Sequence, residues 1–218
     1  MTIEGARLRI RNAYVKKTAK KRRLKIRIDR FTIISNNCWG GTVYESYNLE
    51  KMSPTVGMYF APEEYLKFVS NLPYYINECK MELVDPEDAI HKELYKQDNT
   101  FGQYPIAKVG DVEIALLHYH SKEEALAKWE RRCQRVCWDR LIVKMNDQNG
   151  CTIQDMKTFL SMPIECEKKL FFTAKKAWKK EDSEVIYIPQ IRKAHVFASL
   201  EPFGASRKCN MNSIINQL

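Results

Sequence analysis

The stretch Phe31-Thr-Ile-Ile-Ser-Asn-Asn-Cys-Trp-Gly-Gly, residues 31–41, sets a short β-branched apolar run against an abrupt polar turn. The run does not alternate, so both faces of the strand it predicts are apolar. That is the pattern of a strand covered on both sides, as in a parallel sheet. The turn holds two carboxamides, a thiol, an indole and two glycines, and residues 42–49 suit a short helix. Strand, turn and helix in that order open a βα unit.

The same alternation continues along the chain. Residues 55–60, 81–84, 141–145, 170–173 and 185–188 read as strands, and 104–109 with 112–119 flank Gly110-Asp111 as a hairpin. Pro62 with Glu63 and Glu64 starts a helix running to about residue 71. Ser121 with Glu124 three positions later caps the strongest helix, predicted to reach Trp138, and 153–160 forms another. Residues 85–99 are a polar excursion and the last thirty show no period. The expected fold class is α/β: three layers, with a mixed but largely parallel sheet, helices on both faces and one antiparallel hairpin.

The chain has 218 residues, 44% hydrophobic and 29% charged, a globular composition able to bury roughly 70% of its unfolded surface. No apolar run approaches the roughly 18 residues of a spanning helix. The net charge of +9 is uneven: residues 1–30 sum to +10 and the remainder to −1. Two parts are expected, a basic and helical N-terminal segment 1–28 and a single α/β domain 29–218. The N-terminus lacks the apolar stretch of a signal peptide. Seven irregularly spaced cysteines suit reduced thiols, and the expected location is cytoplasmic, with peripheral contact at the inner membrane face through residues 1–28. Nucleic acid is disfavoured as a partner, because the basic segment offers one aromatic, Tyr14, for stacking.

In open α/β sheets ligands bind beyond the carboxyl ends of the strands, which makes three loops site candidates. In the first, Asn36, Asn37, Trp39, Gly40 and Gly41 are ligand-binding candidates and Cys38 a candidate nucleophile; a competing reading has the asparagines cap backbone and Trp39 fill the core. In the second, His118 and His120 share one side of a strand, and either is a candidate general base. In the third, Asp147 follows an apolar strand in what is otherwise a simple turn. Arg131 and Arg132, on the helix after Ser121, are candidates for gripping an anionic group, against the plainer reading of a solvated face. The sequence specifies no metal, cofactor or oligomeric state.

The segments FTIISNNCWGG (31–41), SPTVGMYF (53–60), YPIAKVGDVEIALLHYHSKEEALAKWERR (104–132) and DQNGCT (147–152) resemble a bacterial family of unknown function. Its members are commonly labelled exopolysaccharide or capsule biosynthesis proteins. The resemblance spans about residues 25–190 and implies a setting, the assembly or modification of a surface glycan, rather than a reaction. The function expected is a transferase using an activated, nucleotide-linked donor, with a polar, phosphorylated small molecule or glycan as substrate. The alternative is a non-catalytic binding or scaffold protein of the same pathway, docking through its basic N-terminus.

Overall fold

The computed structural model describes residues 3–98, 100–119, 121–190 and 194–218, with side chains from Arg9 onward. In chain order the elements are α1 (Ile3–Arg23), β1 (Thr32–Ser35), α2 (Trp39–Ser46), α3 (Pro62–Ser70), α4 (Leu72–Asn77), β2 (Met81–Val84) and α5 (Lys92–Tyr95). There follow β3 (Ile106–Val109), β4 (Val112–Ala115), α6 (Lys122–Cys133), β5 (Leu141–Asn146), α7 (Ile153–Ser161), β6 (Lys168–Thr173), α8 (Lys176–Glu181), β7 (Val185–Tyr187) and α9 (Met211–Asn216).

The apolar runs pair as a four-stranded sheet of order β1-β5-β6-β7, every pair parallel. Successive side chains point to opposite faces. Ile34, Val143, Met145 and Phe171 therefore pack with Tyr65 and Phe68 of α3 and Phe159 of α7. Ile33, Ile142, Leu170 and Phe172 pack on the other face with Trp39 and Val43 of α2 and Met211 and Ile215 of α9. Helices thus cover both faces, as the continuous apolar runs require. Gly40 lets α2 approach the sheet, since a Cβ there would meet Ile33 Cγ2 at 3.3 Å.

β1 is an edge strand, and side chains occupy the backbone groups on its open side. The Tyr44 hydroxyl accepts from Ile33 N at 2.9 Å and donates to Phe31 O at 2.9 Å, while Thr55 Oγ1 accepts from Ser35 N at 3.2 Å. This blocks the strand from templating another chain.

The hairpin joins β2 in a separate antiparallel sheet of order β2-β3-β4, rather than entering the parallel one. Its outer edge has no strand to accept because its amides are already taken. Glu64 accepts from Glu113 N at 2.7 Å, and Tyr59 O accepts from Ala115 N at 3.0 Å. Both sheets nevertheless share one core, with Ala107, Val109 and Ile114 in the cluster that contains Ile34 and Val143.

Three local expectations differ from the structure. Residues 55–60 make a turn and one bridge instead of a strand, because Gly57 sits at φ +84° in the left-handed region. The helix expected over 42–49 starts earlier, at Trp39, whose N–H donates to Asn37 Oδ1 at 3.1 Å. The helix expected to reach Trp138 ends at Cys133, and Cys137 N then donates to Thr32 Oγ1 at 2.8 Å, drawing the chain back to β1.

The N-terminal helix is docked. Val15 and Ala19 are buried, and the Arg22 guanidinium donates to Ser46 O of α2 at 2.7 Å. Among the described residues no helix is long and apolar enough to cross a membrane.

Candidate functional site

β1 and β5 run parallel and adjacent, so the polar turns that follow them emerge side by side. Asn36 Nδ2 donates to Asn146 Oδ1 at 2.9 Å, and Asn37 Nδ2 donates to Gln148 Oε1 at 2.7 Å. The loop after β4 comes over the same end of the sheet, where Gly57 O accepts from His118 N at 3.1 Å. Together these segments wall a cleft of about 930 Å³, within the range of small-molecule sites. Asn37, Cys38, Gly41, His118, Arg132, Gln148, Asn149 and His195 line it, along with Arg11 from α1.

Below the cleft lies a buried charge pair. Lys144 stands in the middle of β5 with none of its side chain exposed, and its ammonium meets Glu201 Oε1, equally buried. The ammonium also donates to Asn37 Oδ1 at 2.9 Å and Asn36 Oδ1 at 3.4 Å. Glu201 accepts in turn from Asn146 Nδ2 at 2.8 Å. Desolvation pulls the lysine below its ordinary value and pushes the carboxyl above its own, each opposed by the charge of the other.

The sequence-derived candidates separate into a cleft group and a supporting group. Asn37, Cys38, Gly41, His118 and Arg132 reach the cleft wall. Asn36 is buried beneath it in the Lys144 network. Trp39 is fully buried, its indole donating to Pro202 O at 2.8 Å with its ring edge-on to Phe172. Gly40 faces Ile33, and Arg131 is exposed on α6 outside the cleft. Asp147 is buried and turned to the neighbouring strand, accepting from Thr173 Oγ1 and Ala174 N at 2.8 Å and from Val196 N at 2.7 Å. His120 lies outside the described residues.

The chemistry available follows from these placements. Burial, reinforced by the Glu201 charge, pushes the Cys38 thiol up to about 12, so it is protonated at neutral pH. The Arg132 guanidinium is buried in the wall, where it donates to Val56 O at 3.0 Å and the Tyr119 hydroxyl at 2.6 Å. Among the described residues it meets no carboxylate, unlike Lys128, which pairs with Glu124, and Lys51, which pairs with Glu45. Among the described residues no group of three or more His, Cys, Asp or Glu is placed to hold a metal ion.

Several residues of the cleft and of its buried support escape sequence reading. Gln148 sits in a turn that looks ordinary, and Arg11 is one cation among twelve in its segment. Glu201 falls in the stretch without period. Lys144 had a signal, a lysine inside the apolar run 141–145. A buried cation requires a buried partner.

Fold and site define an α/β protein with a polar, ligand-sized cleft at the carboxyl ends of a parallel sheet. The chain belongs to the family described as "Domain of unknown function (DUF1919)", whose sequence profile matches residues 9–215. It is similar to an uncharacterized protein of Haemophilus influenzae, with 31% identity over 144 residues, covering 66% of this chain. The match spans 62% of that relative's length, less than two thirds of it.

Proposed function

We propose that this protein is a group-transfer enzyme of surface-glycan assembly, taking an activated, phosphate-bearing donor in the cleft. The observation that carries the reading is the meeting of Asn37, Gln148, His118 and Arg132, which pairs with no carboxylate among the described residues, in one cleft of about 930 Å³. The outward amide of Gln148 and the Arg132 guanidinium both suit phosphate oxygens. His118 is the base. It takes the proton of an acceptor hydroxyl, whose oxygen bonds to the electrophilic carbon of the donor. The bond from that carbon to phosphate breaks, and its electron pair leaves on a phosphate oxygen facing Arg132. The glycan setting rests on the resemblance in sequence.

Calorimetry against a panel of nucleotide sugars, with and without manganese, tests the reading. At least one is expected to bind, and Arg132→Gln to weaken it by about tenfold or more, the loss of a hydrogen bond to a charged group. No binding across the panel overturns the proposal.

The surface of α1 and the turn that follows it favours a second reading, a docking role. Ile10, Tyr14 and Leu24 are exposed at 71%, 60% and 84% beside the exposed Lys16, Lys17, Lys20 and Lys21. Such a surface suits anionic headgroups, each cation contributing up to about 1 kcal/mol at low salt. The full chain is then expected to sediment with phosphatidylserine vesicles at low salt and to be released at high salt. Partitioning that ignores salt sinks this reading.

A further inference from the structure

The orientation of every carboxamide around the buried pair follows from two groups that can only donate. The Lys144 ammonium and the backbone N–H of Trp39 both point at one atom of the Asn37 side chain, at 2.9 and 3.1 Å, so that atom is its oxygen. Asn37 must then present its NH2 to Gln148, at 2.7 Å, and the facing atom of Gln148 must accept. Asn146 repeats the constraint independently. Its NH2 gives its two hydrogens to the carbonyl of Val196 and the carboxylate of Glu201, both at 2.8 Å, and shares one of them with the same Gln148 oxygen at 3.0 Å. Two donors therefore hold Gln148 Oε1 inward. Its Nε2 has no hydrogen-bond partner among the described residues, and Gln148 lines the cleft.

A cation from the basic helix reaches the same cleft. The Arg11 guanidinium lies over the Phe203 ring, 4.9 Å from its centroid. Its Nη2 is buried and has no hydrogen-bond partner among the described residues, one of two side-chain atoms there in that state. Burial works against its charge and Glu201 favours it. Glu201 is also the carboxylate that holds Asn37 and Asn146 against Gln148. Arg11 and Gln148 thus line one cleft from two separate parts of the chain, each with a donor nitrogen unspent. A buried guanidinium nitrogen left without an acceptor is costly, and an anion in the cleft would supply one.

We infer that Arg11 and Gln148 form an anion subsite of the cleft and take the phosphate oxygens of its ligand. This rests on reading the cleft as the place of a phosphate-bearing donor, and it makes the N-terminal helix part of the binding site. Arg11 supplies the charge and a forked pair of donors. Gln148 supplies a neutral donor whose direction the Lys144 network sets.

Inorganic pyrophosphate, titrated by calorimetry into the full chain and its variants, tests the subsite. The wild-type protein is expected to bind it, and Arg11→Gln to weaken binding by about 10–100-fold. Lys17→Gln, the loss of an equal charge at an exposed position of the same helix, is expected to change it less than threefold. Gln148→Glu is the sharpest variant. A carboxylate keeps the inward oxygen for Asn37 and Asn146 but shares those amides with Glu201, so the thermal midpoint is expected to fall; binding is read well below that midpoint, where the negative oxygen in place of the outward donor should abolish it. Absence of pyrophosphate binding by the wild-type chain overturns the subsite, as does unchanged binding in Arg11→Gln or in Gln148→Glu. The nucleotide-sugar titration decides the group-transfer reading separately: a donor that binds with Arg11 and Gln148 both dispensable leaves that reading standing without this subsite.

Discussion

Replacing Lys144 with methionine is expected to destabilise the protein by about 3–5 kcal/mol, the usual cost of removing one half of a buried ion pair. Methionine matches the length of the lysine stem and packs against Trp39 and Phe172, over whose rings the ammonium now sits at 5.6 Å. Volume is therefore not the cause. The cause is Glu201, left charged and unexposed with only the amides of Asn37 and Asn146 to satisfy it. A domain holds about 5–15 kcal/mol in total, so the loss is read easily as a shift in the urea midpoint.

The same variant has a pH signature. Desolvation already raises the folded-state carboxyl of Glu201, and Lys144 is the main group opposing that rise. Without the lysine, the folded state binds the proton far more readily than the unfolded chain does. Stability then falls as pH rises through the folded-state value, and recovers as pH drops toward the ordinary carboxyl range. The gap between Lys144→Met and wild type is expected to narrow from pH 8 to pH 5. Lys144→Met with Glu201→Leu should regain much of the loss at pH 8, because the polar partners keep other contacts: Asn37 Oδ1 retains Trp39 N, and Asn146 Nδ2 retains Val196 O. A single variant as stable as wild type at pH 8 would falsify the account of the pair.

His118→Gln is expected to lower turnover of a bound donor by about 10²–10⁴-fold, the range of a positioned general base. Its backbone N–H is fixed to Gly57 O at 3.1 Å, and the next residue, Tyr119, is buried with its hydroxyl donating to Val56 O at 2.7 Å. The loop position is therefore held by groups that the substitution leaves alone. Glutamine keeps a hydrogen-bonding side chain of similar reach and cannot take a proton at neutral pH. Donor affinity by calorimetry should stay within a few fold while the rate collapses. A rate within threefold of wild type removes His118 from the mechanism.

Strand character was legible wherever an apolar run was continuous, as in 31–35 and 141–145, because burial on both faces leaves a compositional mark. Partner choice was not. Nothing in the pattern of 104–119 distinguishes a hairpin inside the parallel sheet from one in a sheet of its own; that outcome depends on Glu64 and Tyr59 occupying its free amides. Density of polar residues after β1 and β5 pointed to the end of the sheet where the cleft opens, yet it did not separate wall from support. Asn37 and Asn36 are adjacent and of one type, and only three-dimensional neighbours put the first in the cleft and the second under it. The segment after residue 190, without period, supplies Glu201 and Phe203, whose roles arise from contacts far away in sequence, 164 residues in the case of Asn37 with Glu201.

The pairing of β1 with β5 alone has a consequence for synthesis. The two strand ends that meet through Asn36 and Asn146 are 110 residues apart in the chain. At about 5–20 residues per second, the first strand leaves the ribosome roughly 5–20 s before its ladder partner is made. During that interval α2 and α3 can cover Ile33 and Ile34 and Tyr44 one backbone edge, but the other edge, the one that pairs with β5, has no native partner. The nascent chain must be shielded until its second half emerges, and a product cut short before Leu141 carries a sticky strand with nothing of its own to pair with.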